Sequence, residues 1–345
     1  MHEPWQNALA NSADDPAEPF PSIAELEVAA RDGGLVAPLP ELGILHVAGA
    51  DAAGFLHNQL TQSITDIGED ETRLAAWCNP KGRARVLMRI VPSDSGLLLI
   101  ADAHVLEAIT PKLQMFVLRA QVALTSLTPS EGLMGLAGPA AEALLTQTVG
   151  SLPSQINGLV RAGDLHVIRL PGDPSPRYLL LAPAAQLSEL WQQYRAALTR
   201  ADAAFWKLLD IRAGLPDVLE QTQETFIPTM LNLEPLQGVV YEKGCYPGQE
   251  VIARMHYLGQ LKRRMYRARI DIDPPTPGSL IVDTNAAQAG IVVSAAPTAE
   301  GGSELLAVLR IDKATDTDLS IDGSPITLLD LPYMPPGLAP ANDEH

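Results

Sequence analysis

The sequence is poor in cysteine: it contains only Cys78 and Cys245, which lie far apart along the chain. A fold held together by disulfide bonds is therefore not expected, and a reducing, cytoplasmic environment fits this composition. No group of cysteines and histidines has the spacing of a zinc site. Because a typical iron–sulfur cluster takes four cysteine ligands, two thiols cannot hold one within a single chain. We therefore expect no metal site.

Long hydrophobic segments are also missing. The longest apolar runs, such as residues 97–101, have the length of a β-strand and are too short to span a membrane. The first residues lack a basic stretch followed by an apolar one, and Asp14, Asp15 and Glu18 argue against a secretory signal or a mitochondrial presequence. We expect a cytoplasmic protein without a membrane partner, and a monomer.

Positive charge is scarce overall, with 24 lysines and arginines against 41 aspartates and glutamates and a formal net charge of −17. This balance argues against binding to DNA or to anionic membranes. The basic residues are nevertheless clustered, and each cluster is also compatible with an ordinary solvated face of a helix or strand. The clusters are Lys81, Arg83, Arg85 and Arg89, and Arg254, Lys262, Arg263, Arg264, Arg267 and Arg269. Together they favour a polyanionic small molecule over duplex DNA as a ligand.

The length allows two or three domains with sizeable cores. Mixed strands and helices with hairpins predict an α+β fold. The pattern of predicted elements changes near residue 128, where a second unit begins, and again near residue 260. After residue 260, short strands separated by Gly, Pro and Asp turns indicate a small antiparallel barrel. Residues 1–22 and those after 332 are rich in residues typical of disorder, such as Pro335 and Pro336. Strands are predicted at 44–47, 73–77, 84–91, 96–101, 122–127, 133–137, 165–170, 178–182, 264–271, 290–294, 305–311 and 326–329, and helices at 49–64, 102–118, 139–148, 184–198, 205–214 and 249–258.

The most informative segment is the octapeptide KGCYPGQE at residues 243–250, which we call the signature loop. It places the amine of Lys243 two residues from the thiol of Cys245. Helical spacing follows, through Val251 to Leu258, with Gly259 as a stop signal. Because a nearby ammonium and a helix N-terminus both favour thiolate, the pattern is compatible with a reactive Cys245. A Gly/Pro turn around a buried small cysteine explains the same residues without chemistry.

The signature loop resembles the K-G-C-Y-x-G-Q-E signature of the YgfZ-type, folate-binding relatives of the glycine cleavage T protein. Other segments agree in the expected order. Phe55 to Thr61 is similar to the early F-L-x-G-x-x-T element, and Cys78 to Arg83 to a turn that carries K-G. Ile211 to Pro216 and Phe226 to Pro228 are similar to the run that leads into the signature. The resemblance extends roughly over residues 40–330.

The resemblance implies three domains of glycine cleavage T protein type around a central opening, ending in a C-terminal β-barrel. The implied boundaries are 23–127 plus 206–259 for a discontinuous folate-binding domain, 128–205 for an inserted α+β domain, 260–332 for the barrel and 333–345 for a tail. It also implies tetrahydrofolate or a one-carbon derivative as cofactor. Iron–sulfur enzymes, including ones that modify tRNA, or their assembly factors are the implied partners.

The residues predicted to bind the cofactor are Lys81, Arg212, Lys243, Gly244, Cys245, Tyr246, Gly248, Gln249, Glu250 and Arg254, and Cys245 and Lys243 are the pair for any chemistry. For Tyr246 a place in the core is as compatible as stacking on a ligand, and Glu250 is equally explained as a charge that suits a helix start. Cys78 is expected to be a buried small residue. Asn58 stands where the family has Gly, and a left-handed turn there is expected to survive.

Two departures from the T protein concern its carboxylates. The T protein carries an Asp soon after its glycine turn and an acidic residue in an L-E-x-G element. Here the corresponding stretches are Arg83-Ala84-Arg85-Val86 and Ile211-Arg212-Ala213-Gly214. Without these groups aminomethyl transfer would lack its usual electrostatic assistance. The sequence therefore favours a folate-binding accessory protein. A folate-dependent aminomethyltransferase or demethylase, and a pure interaction scaffold, remain as alternatives.

Overall fold

The computed structural model describes residues 20–172, 175–257, 261–314 and 318–335. Within these ranges the helices are α1 (Ile23–Asp32), α2 (Ala52–Gln59), α3 (Ala103–Gln114), α4 (Pro139–Val149), α5 (Ala184–Arg195), α6 (Ala203–Arg212) and α7 (Gln249–Tyr257). Short 3₁₀ helices lie at Glu220–Thr222, Pro228–Leu231 and Ile311–Lys313. The strands are β1 (Leu35–Pro38), β2 (Leu42–Ala48), β3 (Arg73–Cys78), β4 (Ala84–Ser93), β5 (Gly96–Asp102), β6 (Ala123–Ser126), β7 (Glu131–Ala137), β8 (Leu159–Ala162), β9 (Leu165–Leu170), β10 (Arg177–Pro183), β11 (Thr199–Arg200), β12 (Arg263–Ile270), β13 (Leu280–Val282), β14 (Gln288–Pro297), β15 (Ser303–Arg310), β16 (Ser320–Ile321) and β17 (Ser324–Leu329).

The first sheet has the strand order β3-β4-β5-β2-β6 and is buried on both faces. Side chains alternate across each strand, so Val86, Met88 and Ile90 of β4 pack under α2 and α3. Leu87 and Val91 point the other way and join a core shared with the second sheet. Position 89 therefore belongs to the face that looks toward the second sheet.

The second sheet has the order β11-β1-β7-β10-β9-β8. Its outer face packs against α4 and α5 through residues such as Leu145 and Trp191. Its inner face packs against α6, where the indole ring of Trp206 occupies the space over Gly135. A Cβ at position 135 would lie 2.5 Å from that ring, so only glycine allows the helix to lie this close.

The C-terminal strands close into a barrel in the order β12-β15-β14-β13-β16-β17. Alternate side chains fill its interior, among them Ile281, Val292 and Leu305. The opposite side chains Val293, Leu306 and Val308 join the core that the barrel shares with the rest of the chain, against α6. The α+β class and the barrel predicted from the sequence are both confirmed.

Several element boundaries differ from the predictions. The helix expected over residues 49–64 ends at Gln59, so Asn58 lies inside α2 and not in the expected left-handed turn. Its chain reverses afterwards, because Leu60 is extended. The helix expected to reach residue 118 ends at Gln114. It continues for three residues past Pro111, which lies inside its last turn. The elements α1, β1, β8, β11, β13 and β16 had not been predicted.

Strand β1 pairs with β7 and β11, so a segment that precedes the first sheet in sequence belongs to the second. The domain boundaries stay a prediction. Residues 1–19 and 336–345, for which disorder was predicted, and Leu258 and Gly259 at the end of α7 lie outside the described residues. None of the described helices is both long enough and apolar enough to cross a membrane.

Candidate functional site

The signature loop folds directly onto the β3–β4 hairpin. Gly248 (φ +82°) and Gly82 (φ +72°) are in contact, and a Cβ on Gly248 would lie 2.5 Å from the Cα of Gly82. The hairpin turn is fixed by Asn79, whose Oδ1 accepts backbone N–H groups from Lys81 at 2.9 Å and Arg83 at 3.1 Å. Two motifs that are 160 residues apart in sequence therefore form one surface at the start of α7.

Lys243 holds the end of α2. Its ammonium group donates to the backbone carbonyls of Leu60 at 2.6 Å, Gln62 at 2.8 Å and His57. A helix leaves its last carbonyls without partners, and a cation there satisfies them. Burial lowers the pKa of Lys243 to about 8. Since the ammonium has three donors, these three carbonyls occupy all of them, and the predicted contact of Lys243 with a thiolate or a ligand carboxylate is not the one that this structure describes.

The segment held by Lys243 forms part of a cavity wall. The hydroxyl of Thr61, the last residue of the F-L-x-G-x-x-T-like element, donates to the carbonyl of Gly238 at 2.7 Å. The side-chain amide of Gln62 donates to the carbonyl of Gln237. Gln62 and Gln237 both line the largest cavity described below. The signature lysine thus supports a cavity wall from outside.

The two cysteines differ in environment. Cys78 is 1% exposed, and burial raises the pKa of its thiol. Its predicted role as a small buried residue is confirmed. Cys245 is exposed, four residues before the first residue of α7. It lines none of the cavities described here.

The other signature residues divide between core and surface. Tyr246 is buried in the main core, as one of its two interpretations expected, and the Nζ of Lys243 lies 5.1 Å from its ring centroid. Gln249 donates from its side-chain amide to the carbonyl of Lys243 at 3.1 Å and so closes the loop. Glu250 and Arg254 are exposed on α7, and Gly244 is exposed beside the cysteine.

Three adjoining cavities lie between the two sheets, and Leu74 lines all of them; we call them together the central cavity. The first measures about 480 Å³ and is lined by Thr72, Asn157 and Gln237 among others. The second, of about 400 Å³, extends past Asn157 and Leu236 to Tyr333. The third, of about 100 Å³, is lined by residues that include Arg89, Trp206 and Asp210.

Arg89 is the residue of this cavity that sequence reasoning did not single out. It had been grouped with the basic cluster at Lys81, but it is only 7% exposed. Its Nη1 donates at 2.8 Å to both Thr72 Oγ1 and Asn157 Oδ1. The available signal was a lone arginine inside the apolar run of residues 86–91. No local sequence pattern identifies Thr72 or Asn157 as a residue of the cavity.

The remaining predicted basic residues lie elsewhere. Arg212 forms ion pairs with Glu27 at 2.7 Å and Glu304 at 2.8 Å, and lines a different cavity of about 230 Å³. Lys81 is exposed at the hairpin tip. Most arginines of the C-terminal cluster are paired with carboxylates, as Arg264 is with Glu234. Four of the ten basic residues in the two clusters are therefore ion-paired within the described residues: Arg85, Arg264, Arg267 and Arg269.

Among the described residues, no group of three or more His, Cys, Asp or Glu side chains is arranged to hold a metal ion. The polar residues that line the central cavity carry guanidinium, hydroxyl and amide groups, the carboxylates of ion pairs, and the carboxylate of Asp70. Such a donor set suits an organic ligand with aromatic and anionic parts.

Comparison with known proteins gives three findings. Residues 262–336 match the family model of the CAF17 C-terminal beta-barrel domain. The chain has 31% identity over 301 residues to the tRNA-modifying protein YgfZ of Edwardsiella ictaluri, covering 84% of this chain and 89% of the relative. The YgfZ of Yersinia enterocolitica is 28% identical over 94% of this chain and 98% of the relative.

The fold is similar to that of a solved structure, the glycine cleavage system aminomethyltransferase T from Bartonella henselae. The TM-score is 0.71 with 13% sequence identity, over 90% of this chain and 89% of that one. This similarity establishes the fold, whereas the sequence relatives establish the family. The chain belongs to the family of the tRNA-modifying protein YgfZ.

Proposed function

We propose that this chain binds a reduced folate, tetrahydrofolate or a one-carbon derivative, in the central cavity. We further propose that it acts in the cytoplasm as an accessory protein for iron–sulfur enzymes, including ones that modify tRNA. The relatives' name supports the link to tRNA modification, and the T protein-like fold supports a folate as the ligand. The cavity is of the size that cofactor sites have.

The observation that carries the proposal is the link between the signature loop and the cavity wall. Lys243 binds the carbonyl of Gln62, and Gln62 binds that of Gln237 across the cavity edge. A loop that only filled a turn would not need a half-buried ammonium at this point. In this account the signature maintains the shape of a folate cavity, and Leu74 and Leu236 offer apolar surface to the ring systems.

The residues that replace the T protein carboxylates argue against aminomethyl transfer. Arg83 donates to the carbonyl of Thr225 at 2.7 Å, and Arg85 pairs with Glu224 at 2.7 Å. Arg212 is bound to Glu27 and Glu304. These arginines therefore stabilise the fold and offer no carboxylate to a reacting nitrogen. The accessory function is favoured over a transferase or a demethylase.

Cys245 is the group proposed to meet the partner. Cys245 is exposed shortly before the start of α7 and lines none of the cavities described above. An iron–sulfur enzyme or an assembly factor that contacts this surface would find the thiol accessible. The bound folate and the partner would then occupy separate surfaces of one molecule.

The proposal is tested by complementation of a host that lacks its own copy, with the activity of an iron–sulfur, tRNA-modifying enzyme as readout. Leu74→Trp fills the junction of the three cavities and should abolish complementation. The control, Leu280→Trp, adds the same side chain at an exposed barrel position and should complement fully. Full complementation by the Leu74 variant would contradict a role for the cavity.

A further inference from the structure

Arg89 is an unusual buried residue because its charge has no carboxylate partner. It lies on β4 between Leu87 and Val91, on the face toward the second sheet. Both of its hydrogen-bond acceptors are neutral: the hydroxyl of Thr72 and the side-chain carbonyl of Asn157, each 2.8 Å from Nη1. Burial lowers the pKa of Arg89 only to about 10, so the guanidinium is charged at neutral pH.

The neighbouring carboxylates are used by other cations. Asp210 binds Arg177 at 2.6 Å, and Asp217 binds Lys207. Glu41 interacts electrostatically with Lys207, Asp210 and Asp217. Burial raises the pKa of Glu41 to about 7, so this carboxyl is partly protonated at neutral pH. Within the described residues, no carboxylate lies within ion-pair distance of Arg89. The charge of Asp210 raises the pKa of Arg89 from a distance, but both carboxylates that line this part of the cavity are paired with other cations.

The guanidinium of Arg89 also has N–H groups that donate to no residue described here. Arginine carries five N–H groups, and Nη1 uses two. For Nε and Nη2 the described residues provide no acceptor, and neither atom is fully enclosed by protein. Arg89 lines the cavity at this side. A buried charge without a counterion is costly, and an anion with two oxygens would satisfy both the charge and the fork of donors.

We propose that Arg89 binds a carboxylate of the ligand in the central cavity. The inference rests on the proposed function, and for a folate the group is a carboxylate of the glutamate tail. Thr72 and Asn157 orient the guanidinium, while the ring systems extend along Leu74 toward the two larger cavities. This contact requires none of the four cations expected from the sequence to meet the ligand, which are Lys81, Arg212, Lys243 and Arg254.

The first test measures binding of 5-formyltetrahydrofolate and of its dimethyl ester, in which both carboxyl groups are esterified and carry no charge. The wild-type protein should bind the acid at least about tenfold more tightly than the ester, a difference of about 1.4 kcal/mol. Arg89→Met should bind the two equally, with an affinity for the ester close to that of the wild type. Arg310→Met, an exposed barrel variant, should behave as the wild type does.

The second test uses Asn157→Asp, which supplies an internal carboxylate to Arg89. Asn157 has φ +65°, a conformation that Asp also tolerates, so the backbone need not change. This variant should raise the melting temperature of the ligand-free protein and should weaken binding of the acid but not of the ester. A variant that binds the acid as tightly as the wild type would overturn the inference.

The outcomes separate this inference from the proposed function. If the wild-type protein binds neither folate form, the proposed function fails, and inorganic phosphate becomes the probe. A phosphate-induced rise in melting temperature that disappears in Arg89→Met would still support an anion site. If the wild type binds folate, equal losses of acid and ester binding in Arg89→Met would overturn the inference. If the wild type binds no folate, a phosphate effect that does not depend on Arg89, or no phosphate effect, would overturn it.

Discussion

Lys243 and Cys245 lie two residues apart, yet their side chains serve different environments. The lysine is turned inward to three carbonyls at the end of α2, and the cysteine is exposed. Sequence proximity suggested that the ammonium activates the thiol, but a backbone that reverses direction within two residues can separate neighbours. In the proposed function, the lysine positions the cavity wall and the exposed thiol acts at the surface.

Alkylation of the two thiols tests this division. At neutral pH, Cys245 should react with iodoacetamide much faster than Cys78, because Cys78 is 1% exposed and burial raises its pKa. Cys245→Ala should keep the wild-type melting temperature and fail in the complementation assay. Mass spectrometry of the native protein gives the rates. Faster labelling of Cys78, or full complementation by Cys245→Ala, would contradict the account.

Glu41 predicts a pH-dependent stability. Burial raises its pKa from 4.5 to about 7, so the folded state favours the protonated form. The stabilisation from this group is therefore complete below about pH 4.5 and is lost as the pH rises through 7. Glu41→Gln, which cannot ionise, should be more stable than the wild type by up to about 3 kcal/mol at pH 8. At pH 5, half a unit above the unfolded pKa of 4.5, the difference should shrink to below about 1 kcal/mol.

Urea unfolding at both pH values measures this difference, since the free energy of unfolding is obtained by linear extrapolation. A constant difference at pH 5 and pH 8 would show that the substitution acts through packing and not through ionisation. Glu41 belongs to the same charged cluster as Asp210 and Asp217, the two carboxylates that pair with cations other than Arg89.

At the scale of elements, the contact between Gly82 and Gly248 joins the hairpin to α7. Gly248→Ala places a methyl group 2.5 Å from the Cα of Gly82 at φ +82°. Gly301→Ala is a matched control, because Gly301 has the same φ of +82° and a Cβ there would meet nothing within 4 Å. The control should cost about 1–2 kcal/mol for the left-handed backbone alone.

Gly248→Ala should cost at least about 2 kcal/mol more than the control, because backbone atoms cannot move aside as a flexible side chain can. The difference between the free energies of unfolding of the two variants isolates the contact. Equal costs would show that the hairpin and α7 are not held together at this point.

The elements predicted best were those with strong local patterns. The hairpin β3–β4, strands β7 and β9 and helices α4 and α5 follow from period-2 and helical spacing with clear turn residues. The strand β1 was missed because it has four residues and is identified only by its pairing with β7 and β11. The end of α2 was misjudged because Lys243, from a distant loop, takes its final carbonyls.

At the scale of the whole molecule, the cavity arises from packing that no local pattern records. Arg89, Thr72 and Asn157 come from three separate segments and meet only when the two sheets face each other. The glycines and turn residues of the signature loop correctly predicted a loop that leads into a helix, and α7 begins at Gln249 as expected, but its contact with the hairpin was not predicted. Which basic residues face a ligand depends on ion pairs such as that of Arg212 with Glu304, which the sequence does not reveal.

The central claim is that a reduced folate binds in the cavity between the sheets. The most direct measurement is a calorimetric titration of the wild-type protein and of Leu74→Trp with 5-formyltetrahydrofolate. The account predicts saturable binding of one folate per wild-type chain, a higher melting temperature in its presence, and loss of both effects in the variant. No heat and no thermal shift with the wild type, or unchanged binding by the variant, would contradict it.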